Sequence, residues 1–380
     1  MSDAVIVQAL RSPVGRRNGS LGGIHPVELS AQVLNGLMES VQRAPEIVED
    51  VIWGCVSQVG EQTSDIARRA ALSAGWPLSV TGVTVDRQCG SSQQSVHFAA
   101  AGLISGQYEV VVAGGVESMS RVPMGSSALD HDVVGPSFLA RFGAHPNQGI
   151  GAEMIATRWG FSRTDVDEYS LRSHELAAAA HDRGEFEDQI IPITLPDGTT
   201  VSVDECIRRG STLETLGGLK TAFREDGVIT AGNSSQISDG AAALLMMTSQ
   251  KAQELGLEPI ARVHTAVLAG DDPVIMLTAP IPATEKALKR SGLALADIGT
   301  YEVNEAFAPV PLAWLKDIGA DADLLNPQGG AIAIGHPLGG SGARLMTTMI
   351  HRMKNQGIRY GLQTMCEGGG QANATIIELL

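Results

Sequence analysis

Val83-Thr84-Val85-Asp86-Arg87-Gln88-Cys89-Gly90-Ser91-Ser92 is the stretch on which the reading of the fold turns. Its three β-branched residues read as a short buried strand. Ser91–Leu103 follows, rich in small residues, and reads as a helix. Glu109–Ala113 is an apolar run ending at Gly114-Gly115, a second strand. The unit is strand–helix–strand, the pattern of an α/β protein. The C-terminal third repeats this logic. Asn326–Ile334 leads into His336, Gly342–Met353 reads as a helix, and Tyr360–Met365 reads as a strand that stops at Cys366-Glu367-Gly368-Gly369-Gly370. In both units a reactive side chain stands just before a small-residue helix, and a strand ends in glycines. The chain therefore reads as two related halves, alike in pattern more than in letters, and not as a short-period solenoid.

Between the halves, over 119–237, the texture changes. Loops with Gly and Pro run from Pro123 to Pro146, a charged helix pattern covers Thr164 to Arg183, and Pro196-Asp197-Gly198 is a strong turn signal. This segment reads as an inserted, mostly surface subdomain. At the other end, Met1-Ser2-Asp3-Ala4-Val5-Ile6-Val7 lacks the basic start and apolar stretch of a signal peptide and reads as a first strand.

Composition narrows the function. The chain has 380 residues, 43% apolar and 18% charged, enough for a large core in two or three domains. Its 27 basic against 42 acidic residues give a formal charge of −15, which argues against nucleic-acid or membrane-surface binding. A local basic patch could still hold an anionic ligand. Cys55, Cys89, Cys206 and Cys366 stand far apart, with no Cys-x-x-Cys pair, too sparse for a disulfide scaffold. A reduced, soluble, cytoplasmic protein is expected.

Cys89 stands between a strand and a helix start, where unpaired N–H groups and the dipole favour thiolate. His336 sits among glycines before a helix, placed to take a proton from a thiol. Cys366 ends a strand and precedes a glycine run whose N–H groups suit an oxyanion hole. Asn304-Glu305-Ala306-Phe307 follows the strand-like Thr300–Val303, and on residues alone Asn304 also reads as a helix cap. Cys55 looks like strand core, and Cys206 lies in a polar loop. The histidines show no metal-ligand spacing, and no nucleotide loop or serine nucleophile elbow is complete.

Together the motifs resemble the thiolase family along essentially the whole chain. The matching stretches are Gln88-Cys89-Gly90-Ser91, Gly232-Asn233-Ser234-Ser235 with Ser238-Asp239-Gly240-Ala241-Ala242-Ala243, Asn304-Glu305-Ala306-Phe307, Gly329 through Gly342, and Cys366 through Gly370. The resemblance implies an α/β thiolase-like fold: two similar βαβαβαββ halves, layered α-β-α-β-α, with an inserted loop domain. It divides the chain into an N-terminal half at 1–118 plus 238–259, a loop domain at 119–237 and a C-terminal half at 260–380. It also implies a homodimer or homotetramer.

By that resemblance Cys89 is the acylated nucleophile and His336 activates it. His336 also faces the thioester oxygen of the acetyl unit, where Asn304 holds a water that completes the oxyanion hole. Cys366 moves the proton at the acetyl α-carbon. The N–H groups of Cys89 and Gly368 form a second oxyanion hole. Arg208 and Thr215 match positions at the nucleotide end of coenzyme A, Ser235 one at its pantetheine, and Met276 and Phe307 line the pocket. The activity implied is CoA-dependent cleavage of a 3-ketoacyl-CoA to acetyl-CoA and a shortened acyl-CoA. CoA is a co-substrate, with no other cofactor and no metal.

The chain departs from the family pattern at two places. Asn147-Gln148-Gly149 replaces a frequent His-Met before Gly, which weakens a short-chain preference. Glu367 takes a position usually small or apolar and is expected to point away from the oxyanion site. The alternatives are a biosynthetic acetoacetyl-CoA thiolase, a Cys–His hydrolase, whose sequence signature is incomplete here, and a binding protein with a decayed site.

Overall fold

The computed structural model describes residues 3–380, so Met1 and Ser2 of the expected first strand lie outside the described residues. Its main strands are β1 (Val5–Arg11), β2 (Asp50–Gly54), β3 (Thr81–Val85), β4 (Val110–Ser118), β5 (Ser238–Met247), β6 (Ala261–Gly270), β7 (Thr300–Val303), β8 (Tyr360–Glu367) and β9 (Gln371–Leu379). They run in the order β7-β8-β9-β6-β1-β5-β4-β2-β3.

The order is a repeat about its centre. From β1 outward come β5 and β4, both antiparallel, then β2 and β3, both parallel. From β6 outward come β9 and β8, both antiparallel, then β7, parallel. A single parallel bridge, Tyr301 to Leu325, stands where a fifth strand would. The two sheets join where Val5 and Ile6 of β1 pair with Arg262 and Ala261 of β6.

Helices cover and separate these sheets. On the outside of the first lie α1 (Pro26–Ser40) and α2 (Ile66–Ser73), whose apolar faces share a cluster with Val51, Trp53 and Val112. Between the sheets lies α3 (Ser91–Ser105). Two insertion helices follow, α4 (Gln148–Trp159) and α5 (Arg163–Asp182). The second sheet carries α6 (Pro280–Ser291) and α7 (Pro309–Ile318), which share a cluster with Tyr301 and Ile376. Last comes α8 (Ser341–Gln356), packed beside α3 in the central layer. The layering is α-β-α-β-α, as the family resemblance implied.

The central helices have to be unusual, because both of their sides face a sheet. All residues from Ser91 to Val96 and from Ser341 to His351 are buried. Small side chains let the pair approach: a Cβ on Gly342 would come within 2.3 Å of Gln93 N. Val96, Leu103, Met346, Met349 and Ile350 fill the space between the sheets, each contributing about 1.5–3 kcal/mol on burial.

Three details differ from the sequence reading. β3 is half-exposed, because it is the edge strand. β4 runs through Gly114-Gly115 to Ser118 instead of stopping there. Glycine at those positions reflects close backbone approach, since a Cβ on Gly115 would lie 2.3 Å from Gly339 O. The insertion is also less superficial than expected. Val166 and Tyr169 of α5 enter the C-terminal core, and Ala152 and Ile155 of α4 join a cluster with Met276 and Phe307.

Candidate active site

Cys89 lies in the tight turn from β3 to α3. Gln88, just before it, has φ +48°, a left-handed conformation that costs energy for a non-glycine residue. The turn is stapled at both ends. Gln88 N–H donates to Asp86 Oδ1 at 2.7 Å. Ser91 Oγ accepts from Arg87 N–H at 2.9 Å and donates to Gln88 O at 2.6 Å. The thiol is 4% exposed and packs with Met119, Leu338 and Met365.

The resting thiol is protonated, contrary to the thiolate expected at a helix start. Burial pushes its pKa up to about 12, with Glu367 the next cause. Desolvation outweighs the helix dipole here. To act as a nucleophile, a thiol in this state would need a base to take its proton.

His336, which the resemblance implies as the base, is held in one orientation. Its loop runs into α8 and is clamped to the first half. Gly339 N–H donates to Glu117 Oε2 at 2.8 Å, and Glu117 also accepts from Val56 N–H, Ser57 N–H and Gln62 Nε2 at 2.9, 3.1 and 2.8 Å. Ser341 Oγ donates to Pro337 O at 2.8 Å, so its oxygen accepts from His336 Nδ1–H at 2.6 Å. That assigns the proton to Nδ1 and the lone pair to Nε2. Burial, then Arg344, drives the imidazole pKa down to about 3, so the ring is neutral at ordinary pH.

Asn304 Nδ2 faces His336 Nε2 at 3.4 Å, while Asn304 Oδ1 is buried with no protein partner. Asn304 is not a helix cap, because α7 begins at Pro309 with Ala308 before it. Its own N–H donates to Thr364 O at 3.1 Å, which fixes it to β8.

Cys366, 1% exposed, ends β8 in the apolar cluster that holds Met276 and Phe307. Burial first, then the charges at Cys89 and Glu367, raises its pKa well above the ordinary range. The β8–β9 hairpin that follows needs glycine, with φ +88° at Gly369 and +75° at Gly370. Gly368 abuts the nucleophile turn: a Cβ there would lie 2.8 Å from Gln88 Oε1. Met276 is itself left-handed, at φ +64°.

The expected CoA-binding residues line two adjoining cavities. One of about 700 Å³ is bordered by Arg16, Arg17, Arg208, Ser234, Ser235 and Gln236. The other, about 350 Å³, is bordered by Arg208, Arg209, Thr215, Leu216, Gln236 and Ile332. Arg208 belongs to both, and its Nη2 donates to Gln236 Oε1 at 3.4 Å. Arg209 and Arg224 are instead paired with Asp182 and Asp226. The Thr215 hydroxyl is engaged in the capping box with Thr212.

The chain was compared with known proteins. The profile for the thiolase N-terminal domain matches residues 4–250, and that for the thiolase C-terminal domain matches 257–379. The chain belongs to the thiolase family. A steroid 3-ketoacyl-CoA thiolase, FadA6 of Mycobacterium tuberculosis, is 49% identical over 100% of this chain and 95% of its own. A 3-ketoacyl-CoA thiolase of Photobacterium profundum is 43% identical over the full length of both. The crystal structure of the Bacillus anthracis acetyl-CoA acetyltransferase superposes with a TM-score of 0.93 at 40% identity, covering 100% of this chain and 99% of that one.

Within this family frame, the structure adds residues that the sequence reading missed. Ser341 fixes the His336 tautomer, and its signal was the Gly-Gly-Ser-Gly run read only as a failed elbow. Gln236 accepts from His336 N–H at 3.1 Å through its carbonyl and so ties the base to the Arg208 cavity. Arg16 and Arg17 carried no motif. Cys206 is buried beside Ser238 Oγ, at 3.8 Å, and is not in an open polar loop. Glu367 is buried, with its carboxyl against Gly90. Asn147 is the N-cap of α4 and accepts from Ile150 N–H at 3.1 Å. Among the described residues no helix is long and apolar enough to cross a membrane.

Proposed function

We propose that the protein is a degradative thiolase: it cleaves a 3-ketoacyl-CoA with CoA into acetyl-CoA and a shortened acyl-CoA. The observation that carries this is that Cys89, a buried thiol on a strained turn, packs with Leu338, two residues past the neutral imidazole of His336, and with Met365, next to the Cys366 thiol before the glycine hairpin. The names of the relatives support the same reaction.

Cys89 Sγ attacks the 3-keto carbon as its proton passes to His336 Nε2. The alkoxide that forms is held by the N–H groups of Cys89 and Gly368. The C2–C3 bond breaks, its electron pair moves into the acetyl-CoA enolate, and Cys366 delivers a proton to the carbon. His336 with Asn304 stabilises the enolate oxygen, and the unpartnered Asn304 Oδ1 can orient a water there. The His336 proton restores the Cys366 thiol; a CoA thiol then attacks the acyl-Cys89 thioester as its proton passes to His336 and on to the departing Cys89 sulfur, and the shortened acyl-CoA is released. The kinetics are ping-pong. The enolate's charge is met by hydrogen bonds, so CoA is a co-substrate and the steps call for no other group.

The reading extends to a homodimer or homotetramer. A panel of short, long and steroid-type 3-ketoacyl-CoAs, assayed with and without free CoA, tests the function. Cleavage only with CoA is expected, with a maximum away from acetoacetyl-CoA. Cleavage without CoA would mark a hydrolase. A maximum at acetoacetyl-CoA would favour the biosynthetic reading, which the Bacillus anthracis relative's name supports.

Arg208 gives a second test. Arg208→Ala is expected to raise the KM for CoA about tenfold, an effect that shrinks as salt rises, and to leave acylation of Cys89 possible. A KM unchanged at every salt concentration would remove Arg208 from nucleotide binding.

A further inference from the structure

Glu367 follows Cys366 on β8, so strand alternation sends the two side chains to opposite faces. Cys366 turns toward Met276 and Phe307. Glu367 turns toward the start of α3 and is 0% exposed. Its carboxyl lies on the Cα of Gly90, beside the nucleophile. A Cβ at that position would come 1.9 Å from Glu367 Oε1 and 2.7 Å from Asn373 Nδ2. Only glycine leaves this room. Neither Glu367 oxygen has a hydrogen-bond partner, nor does the buried Arg87 Nε. Arg87 Nη1 is committed to Gln371 Oε1 at 3.0 Å, and Asn373 Nδ2 to Gly90 O at 3.0 Å. None of the chemical steps above uses this carboxyl.

We propose that Glu367 is a positioning residue for charge: once ionised, at alkaline pH, its buried carboxylate opposes a free thiolate at Cys89, so that the thiol still yields its proton to His336 only as substrate is attacked. The inference rests on Cys89 being the nucleophile. A carboxylate packed against Gly90 and a thiolate on the residue before it, in an interior that screens them poorly, disfavour one another. The other groups facing Cys89 do not supply this control. Asp86 on its own turn and Glu117 on β4 act in the same direction but more weakly, and Cys366 on β8 is a neutral thiol. His336 is neutral, and Arg87 offsets Glu367 in part. Burial holds the Glu367 pKa up at about 8. The carboxyl is thus a brake that engages as the pH rises past that value.

The test is the rate of iodoacetamide alkylation at Cys89 in the full-length protein, followed by mass spectrometry from pH 6 to pH 9.5. Glu367→Gln is expected to match the unmodified chain at pH 6–7, where the carboxyl is protonated. Above about pH 8 the variant should pull ahead by about three- to tenfold, a displacement of about 0.5–1 pH unit. A merely structural role would separate the two profiles equally at every pH. Profiles that coincide or run parallel throughout overturn the proposal. If the Gln variant is insoluble, Glu367→Ala carries the same expectation.

Thermal stability gives an independent readout. The folded pKa is raised above the ordinary glutamate value of 4.5, so the folded chain holds a proton that the unfolded chain releases. That contribution is full below about pH 4.5 and is lost as the pH climbs through about 8. Glu367→Gln should therefore narrow the fall in Tm between pH 6 and pH 9, and an unchanged fall also counts against the proposal. Thiolysis that survives complete alkylation of Cys89 would instead sink the nucleophile reading itself, and so the two failures are distinct.

Discussion

Cys89→Ala is expected to abolish both thiolysis and acetyl exchange between acetyl-CoA and labelled CoA. Every step of the proposed cycle passes through an acyl group on that sulfur. Cys366→Ala should behave differently. Its thiol serves only where a proton meets carbon, and acyl exchange makes no carbanion. Thiolysis should fall by about 10²–10⁴-fold, the usual worth of a general acid–base, while much of the exchange remains. The separation is credible because the two thiols sit in different apolar clusters, Cys89 with Met119 and Leu338, Cys366 with Met276 and Phe307. Equal loss of exchange in both variants, with circular dichroism unchanged, would refute the division of labour.

Glu117→Ala is expected to cost about 3–5 kcal/mol in stability, measured by denaturant unfolding. Removing the carboxylate strands three backbone N–H groups, of Val56, Ser57 and Gly339, together with the Gln62 amide. Each buried donor left unpaired costs about 1–3 kcal/mol, and water entering the gap recovers part of the sum. Activity should fall further than the loss of folded protein explains, because Gly339 belongs to the loop that carries His336. A variant with ordinary stability and ordinary kcat would mean that the loop holds its place without Glu117.

Much of this architecture could be read from short stretches. The helix after Cys89 and the one after His336 were visible because small residues crowd both, and they turned out to be the helices trapped between sheets. The strands at Thr300 and Tyr360 were legible too, as strand-like stretches leading into Asn304 and Cys366. Other features depend on distant partners and left no local mark. Gly114-Gly115 reads as a stop, yet continues as strand because the backbone of Gly339, far along the chain, needs the space. Cys206 looks polar from its neighbours in sequence and is buried by Val14 and Phe186. Thiolate at Cys89 follows from helix geometry alone, and the opposite follows once burial is known. Arg16, Arg17 and Ser341 act through where they stand around a cavity or a ring nitrogen, which no spacing rule encodes.

The contact of Gly339 with the first sheet sets a tolerance for the whole molecule. Its carbonyl sits where side chains on Gly54 and Gly115 would otherwise be, 2.7 and 2.3 Å from their hypothetical Cβ atoms. A single added methyl on either strand would push the loop that carries His336 away from the half that carries Cys89. Neither glycine is among the candidate site residues, yet each decides how near His336 and Cys89 can stand.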